Sequence, residues 1–299
     1  MTASSLSQAR SGGALIRPPG RRSGPWRLFL RSRLVIPALL VLVPAIIGAL
    51  GARLLSPYDP LYQDYTGILI PPDRAHLLGT DELGRDVLSR LLYGGRVSLS
   101  VGLGAVGFAL IVGVTLGLTA AYCGGWVDDL LMRVTEAVAA IPALVLALSI
   151  TVALRPGLTN VMLAIGLVYT PAFARLARGE ALSVREREYI SAARVIGARP
   201  ERIIMRHIWP NVTAPILVLA SLRVASAIVT EASLSFLGAG VPPPEPSWGG
   251  MLKTSYQYTE EALWLALTPG LAIFLTVLAI NIVGDALRAA IDPRLRSRG

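Results

Sequence analysis

The chain has 299 residues, of which 53% are hydrophobic and only 16% charged, with a mean hydropathy of +0.58. Soluble domains average about 25% charged residues, so this composition excludes an ordinary water-soluble domain and points to a polytopic membrane protein. The formal charge of +9 does not imply a nucleic-acid partner, because the arginines cluster in a few segments between apolar runs, as loops kept on one side of a membrane do.

Residues 1–33 hold seven Arg and no acid, with Gly, Ser and Pro between them. They read as a basic cytoplasmic tail, and Arg21-Arg22 lacks the apolar pattern that follows a twin-Arg signal. Leu34–Ala52 is the first uncharged apolar run, nineteen residues long, enough to cross about 30 Å of hydrocarbon. It exceeds the roughly 7–15 residues of a signal-peptide core and no small-residue cleavage site follows. It reads as an uncleaved first helix, within a first transmembrane segment 34–55, with the N-terminus inside.

Ser56–Arg96 is polar, with six acids and four Arg, and by orientation extracytoplasmic. Asp81, Arg85, Asp86 and Arg90 fall at helical spacings, with Thr80 as a cap and Leu83, Val87 and Leu91 as an apolar face. This predicts a short amphipathic helix at the membrane surface. Val97–Cys123 is uncharged and reads as the second helix, with Gly102, Gly104, Gly107, Gly113 and Gly117 allowing close helix approach. Gly124–Arg133 is expected as an inner turn, Val134–Leu154 as a third helix containing Glu136 and Pro142, and Arg155–Asn160 as an outer turn. Val161–Ala174 is expected as a short fourth helix interrupted by Pro171.

Ser183–Asn211 carries six Arg, three Glu and a His between two apolar runs. Ser183 with Glu186 fits a capping box, and helix formers continue to Ile196. Gly197 suits a left-handed C-cap, Pro200 a second helix start, and Pro210 its end. The loop is expected to fold as helix, turn, helix. A basic amphipathic loop lying on anionic headgroups is the plainer reading. Val212–Thr230 is expected as the fifth helix with Arg223 near its middle and Glu231 eight residues on. Ionisable groups at that depth usually face a bundle interior or a water-filled path, and Arg223 either lines such a path, pairs with Glu231 or snorkels. Three prolines, Pro242 to Pro244, end that helix. Ala262–Val283 is the sixth helix, followed by an Arg-rich cytoplasmic end. Six spans put the basic tail, the 183–211 loop and the C-terminus on one side and the acid-richer loops on the other.

Several functions are excluded by what the chain lacks. A Walker A loop needs Gly-Lys-Ser/Thr, and the only lysine, Lys253, follows Leu252. Cys123 is the single cysteine, which excludes an internal disulfide and a cysteine metal cluster. His76 and His207 stand apart, and no nucleophile elbow or metal signature accompanies them, so an enzyme is not expected. A secondary transporter would need coupling-ion groups in mid-membrane, where only Arg223 is found. A pore or scaffold protein would not need so structured a loop.

Four blocks carry a family resemblance. Ser191-Ala192-Ala193, with Gly197 and Pro210 following, resembles the EAA coupling loop of ABC importer permeases, with Ser191 at the lead Glu position, Trp209 at the Leu and His207 at the Ile. The words GTDELGRDVLSR within 76–96, SLSFLG before PPPEPSWGG within 231–250, and GDALRAAIDPRLR at 284–296 are similar to the peptide/nickel permeases. By this resemblance the chain is identified as a second-type permease subunit of a dipeptide/oligopeptide-class ABC importer, with nickel or another small solute as the alternative cargo. The resemblance implies an all-α membrane protein with a type I importer transmembrane domain, its five-helix core spanning 97–287 and a tail at 288–299. It further implies a homologous permease in a heterodimer, two ATPase subunits carrying ATP and Mg, an extracytoplasmic substrate-binding protein, and a bacterial or archaeal cytoplasmic membrane. Glu188, Ser191, Ala192, Ala193, Arg194, Gly197 and Arg199 are then the expected contacts to the ATPase, and Arg223 and Glu231 possible path residues. This chain itself is expected to bind no cofactor or metal.

Overall fold

The computed structural model describes residues 33–291. The basic tail up to residue 32 and the C-terminal tail after Ile291 lie outside the described residues. The rest is helical: α1 (Val35–Leu50), α2 (Val87–Cys123), α3 (Gly125–Ala140), α4 (Ala143–Leu154), α5 (Leu158–Arg185), α6 (Glu188–Val195), α7 (Pro200–Ile203), α8 (Trp209–Phe236), α9 (Trp248–Ser255) and α10 (Leu263–Ile291). A single turn at Ala52–Leu55 extends α1, and no strand is present among the described residues beyond one bridge, Thr80 to Asp86. Four helices are long and apolar enough to cross a membrane, a bent pair supplies a fifth span, and α1 is a shorter apolar helix. These account for the six expected apolar runs.

α2 packs most extensively against α5. Phe173, Ile165, Ala105 and Ala109 are fully buried between them, with Ala227 and Leu234 of α8 completing the cluster. Lipid tails are as apolar as leucine, so helices associate here through packing rather than water exclusion. A Cβ on Gly113 would lie 2.6 Å from both the Phe173 Cβ and the Thr170 carbonyl oxygen, so only glycine permits this crossing. Gly107 has open space at the same test, so no packing among the described residues calls for glycine there.

Several expected boundaries move. α2 begins at Val87, ten residues before the expected start, because the charged segment feeds directly into it. The inner turn shrinks to Gly124 (φ +64°), and α3 starts at once. The third span is not one helix: α3 and α4 meet at 93° around Ile141-Pro142, where Pro142 lacks the N–H that would continue the ladder. Pro171 leaves α5 unbroken from Leu158 to Arg185. α8 starts at Trp209 with Pro210 in its first turn, where a missing N–H costs nothing, so Pro210 opens the fifth span rather than closing the loop.

Up to Asp86 the predicted surface helix is replaced by a polar knot, and from Val87 onward its residues belong to α2. Asp81 accepts from the Leu83 and Arg85 backbone N–H groups at 3.0 and 2.9 Å. Its other oxygen takes Arg85 Nε at 2.7 Å and Arg90 Nε at 3.2 Å. Arg85 also donates to Glu82 at 2.6 Å and Arg90 to the Pro60 carbonyl at 3.1 Å. Thr80 donates to Gly67 O and accepts from Ile70 N, so it ties two loops instead of capping a helix. Asp86 caps α2, accepting from Ser89 N at 2.8 Å, and takes His76 Nδ1 at 2.9 Å. Gly84 holds φ +71° against the Asp64 carbonyl, a place no side chain can occupy. Three backbone N–H hydrogen bonds to two carboxylates, two closing a turn at Asp81 and one capping α2 at Asp86, outweigh the helical spacing of the charges.

Candidate functional site

The segment between α5 and α8 lies at the same end of the bundle as the α2 C-terminus, since Arg185 donates to the Ala121 carbonyl at 2.7 Å. Ser183 is still inside α5 and Glu186 follows its last residue, so the expected capping box is not formed. α6 therefore starts later, at Glu188. It ends as its sequence requires. Gly197 has φ +78°, and the Ala198 N–H reaches back to the Ala193 carbonyl at 3.0 Å, the six-to-one bond of a Schellman cap. Pro200 opens α7, and a widened π turn, Ile204–Ile208, leads into α8, with Trp209 N–H bonding back to Ile204 O. Such turns recur at functional sites.

The segment is fastened by apolar anchors and faces outward elsewhere. Ile190, Ile203 and Ile208 are buried at 0, 1 and 3% exposure, while Val195, Ile196 and Met205 stand at 87, 84 and 67%. Ala193 is buried with the anchors, whereas Glu188, Ser191, Ala192, Gly197 and Arg199 are exposed. The two alanines of the motif thus divide: Ala193 packs inward and Ala192 faces out. Among the described residues, nothing lies within 4 Å of a Cβ built on Gly197. Among the described residues, Glu188, Arg199, Arg202 and Arg206 form no ion pair. The side chain of Arg194 lies outside what the structure describes. The arrangement is an elbow, fastened by buried isoleucines, that carries an exposed apolar tip and charges without ion pairs among the described residues, able to bind a complementary protein surface and to transmit its displacement to α5 and α8.

Arg223 and Glu231 are not brought together. The Arg223 guanidinium carbon lies 5.2 Å from the Tyr169 ring centroid on α5, and Tyr169 shares a 2.9 Å hydrogen bond with Thr230. Glu231 is fully buried. Its two oxygens accept from Ser98 of α2 at 2.9 Å and Ser235 at 2.7 Å. Ser98 Oγ also takes the Trp248 N–H at 3.3 Å, and the Trp248 indole donates to the Leu91 carbonyl at 2.9 Å. This cluster, which fastens α2, α8 and α9, was not anticipated. The spacing of four between Glu231 and Ser235 was its only signal, since it puts both on one helix face. Between α3 and α5, Arg178 pairs bidentately with Asp128 at 2.5 and 2.6 Å.

Residues 113–297 match the family described as binding-protein-dependent transport system inner membrane component. The chain is 43% identical over 283 residues to the glutathione transport system permease protein GsiD of Pectobacterium atrosepticum, covering 94% of this chain and 93% of that one. It is 42% identical over 278 residues to the di/tripeptide transport system permease protein DppC of Pseudomonas aeruginosa, with 91% and 92% covered. A chain of the inward-facing MetNI methionine ABC transporter superposes with a TM-score of 0.57 at 17% identity, over 68% of this chain and 96% of that one, a likeness of fold alone. The chain belongs to the binding-protein-dependent transport system inner membrane components and is a multi-pass permease subunit of an ABC importer.

Proposed function

We propose that this permease carries short peptides inward, in a heterodimer with a homologous permease, driven by two ATPase subunits and fed by an extracytoplasmic binding protein. The near full-length similarity to permeases named for glutathione, dipeptide and di/tripeptide transport supports the cargo. The observation that carries the mechanism is the outward-facing tip at Val195 and Ile196 on a segment anchored by Ile190, Ile203 and Ile208. In this reading the 186–208 segment and both termini face the cytoplasm, and residues 56–86 face outward.

ATP and Mg bind on the partner ATPases, and this chain performs no hydrolysis. Its elbow seats in a surface groove of the ATPase, with Ala192 and Ser191 allowing close approach and Glu188, Arg194 and Arg199 offering polar contacts. ATPase closure moves the elbow, α5 and α8 follow as levers, and the pathway opens outward. Such a shift requires that the ATPase contact differ between the two states. Gly197 fixes the angle of the tip.

The test is a crosslink in the assembled complex. Val195→Cys in a Cys123→Ser background should capture an ATPase subunit, with a yield that changes on adding ATP. An intact complex in which position 195 captures no ATPase would return the loop to the membrane-surface reading.

A further inference from the structure

Two hollows meet along one face of α2. The first is a cleft of about 860 Å³ lined by charged and phenolic side chains, including Arg53, Asp59, Tyr93, Arg96 and Glu245. The second is a groove of about 330 Å³ between α1 and α2, walled by Leu42, Ile46, Leu50, Leu99 and Leu103. Arg96 and Ser100 belong to both, and at a spacing of four they lie on one helix face. The combined space is polar and charged at one end and aliphatic at the other.

Its depth follows from the sequence. Arg53 is the first charge after the run Leu34–Ala52, and Arg96 is the last before Val97–Cys123. Both therefore stand where the hydrocarbon ends, and Tyr58 and Tyr93 beside them suit the headgroup level. From Leu42 to Leu50 the groove follows α1 for about 12 Å at 1.5 Å per residue, most of one leaflet of an about 30 Å core. Leu50 and Leu103, at 78 and 62% exposure, leave the groove open sideways in this chain.

The charges at the mouth are uncommitted. The side chains of Arg53, Arg96 and Glu245 have no hydrogen bond or ion pair among the described residues. Among the described residues the Asp59 carboxylate accepts one hydrogen bond, from the Leu61 backbone N–H at 2.8 Å. The cleft thus carries two cations and an anion without side-chain partners among the described residues on its lining, next to a groove that can take an alkyl chain.

We propose that this site holds a phosphatidylethanolamine molecule. Its phosphodiester lies on the Arg53 and Arg96 guanidinium groups, whose planar forks match phosphate oxygens. Its ammonium lies on Glu245 with Asp59, and one acyl chain fills the groove. The acyl chain gains little by moving between two apolar surroundings, so selectivity resides in the headgroup. A choline headgroup has no N–H to donate, and a glycerol headgroup leaves Glu245 unneutralised. A zwitterionic peptide would satisfy the same charges but leave the groove unfilled.

The test is native mass spectrometry of the purified importer complex incubated with equimolar phosphatidylethanolamine, phosphatidylglycerol and phosphatidylcholine. Wild type should retain phosphatidylethanolamine at least fivefold over each competitor. The Arg53→Ala/Arg96→Ala variant should lose at least fivefold of that retention. Glu245→Gln should erase the preference over phosphatidylcholine, and Leu103→Trp, which blocks the groove and leaves the mouth intact, should lower all bound lipid. Equal retention of the three lipids by wild type, or unchanged retention in the double variant at wild-type thermal stability, would overturn the proposal. So would displacement of the lipid by a dipeptide, which would assign the cleft to cargo.

Discussion

Two segments of this chain are both rich in charge in sequence and opposite in construction. In the knot at 80–90, Asp81, Arg85, Asp86 and Arg90 are buried to between 2 and 8% exposure and bond to one another or to nearby backbone. In the elbow at 186–208, the described charges are exposed and unpaired, and the buried positions are aliphatic. The knot spends its charge on holding loops around the start of α2. The elbow uses isoleucines for that purpose and leaves its charge and its apolar tip facing outward. Charge density alone therefore does not mark a contact surface; whether the charges are already partnered does.

The largest effect expected from breaking this contrast is in the knot. Asp81→Asn would leave Arg85 and Arg90 buried without their shared carboxylate, and removing one member of a buried pair costs about 3–5 kcal/mol. Thermal unfolding of the purified complex should show a fall of that size, and an unchanged melting temperature would mean the knot does not hold the fold. Gly197→Asp in the elbow should cost only about 1–2 kcal/mol for a side chain in the left-handed region, since the surrounding space is open. Transport should nevertheless be lost while basal ATPase activity remains. Normal coupled transport in that variant would remove the turn from the mechanism.

The smallest effect concerns Glu82. Burial, reinforced by the Asp81 charge, raises its carboxyl above the ordinary 4.5, and this outweighs the opposing pull of Arg85. A raised carboxyl favours the folded state when protonated. Its contribution is present below pH 4.5 and is lost as pH rises through the raised value. Unfolding midpoints measured upward from pH 4.5 should fall slightly in wild type and stay flatter in Glu82→Gln. Identical profiles would mean Glu82 is solvated.

The apolar runs located the four long apolar helices, the bent pair and the shorter α1, because a stretch without charge that is long enough to cross a bilayer has few other uses. Gly197 and Pro200 were legible for the same local reason: one tolerates positive φ and the other a missing N–H. Reading failed where a local rule met a stronger neighbour. Helical spacing at Asp81, Arg85 and Arg90 lost to backbone N–H groups that a carboxylate could satisfy at once. Pro171 kept its helix because α5 is packed along its length against α2, whereas Pro142 broke its span.

By itself the sequence determined the number of apolar runs, the absence of a P-loop and the turn at Gly197, all properties of short stretches. Only the tertiary structure decided that Ala193 packs inward while Ala192 faces out, that Arg223 meets Tyr169 rather than Glu231, and that Arg53, Arg96 and Glu245 share one cleft. Each depends on residues far apart in the chain, and a buried polar group takes whichever partner the packing of distant helices brings within about 3 Å.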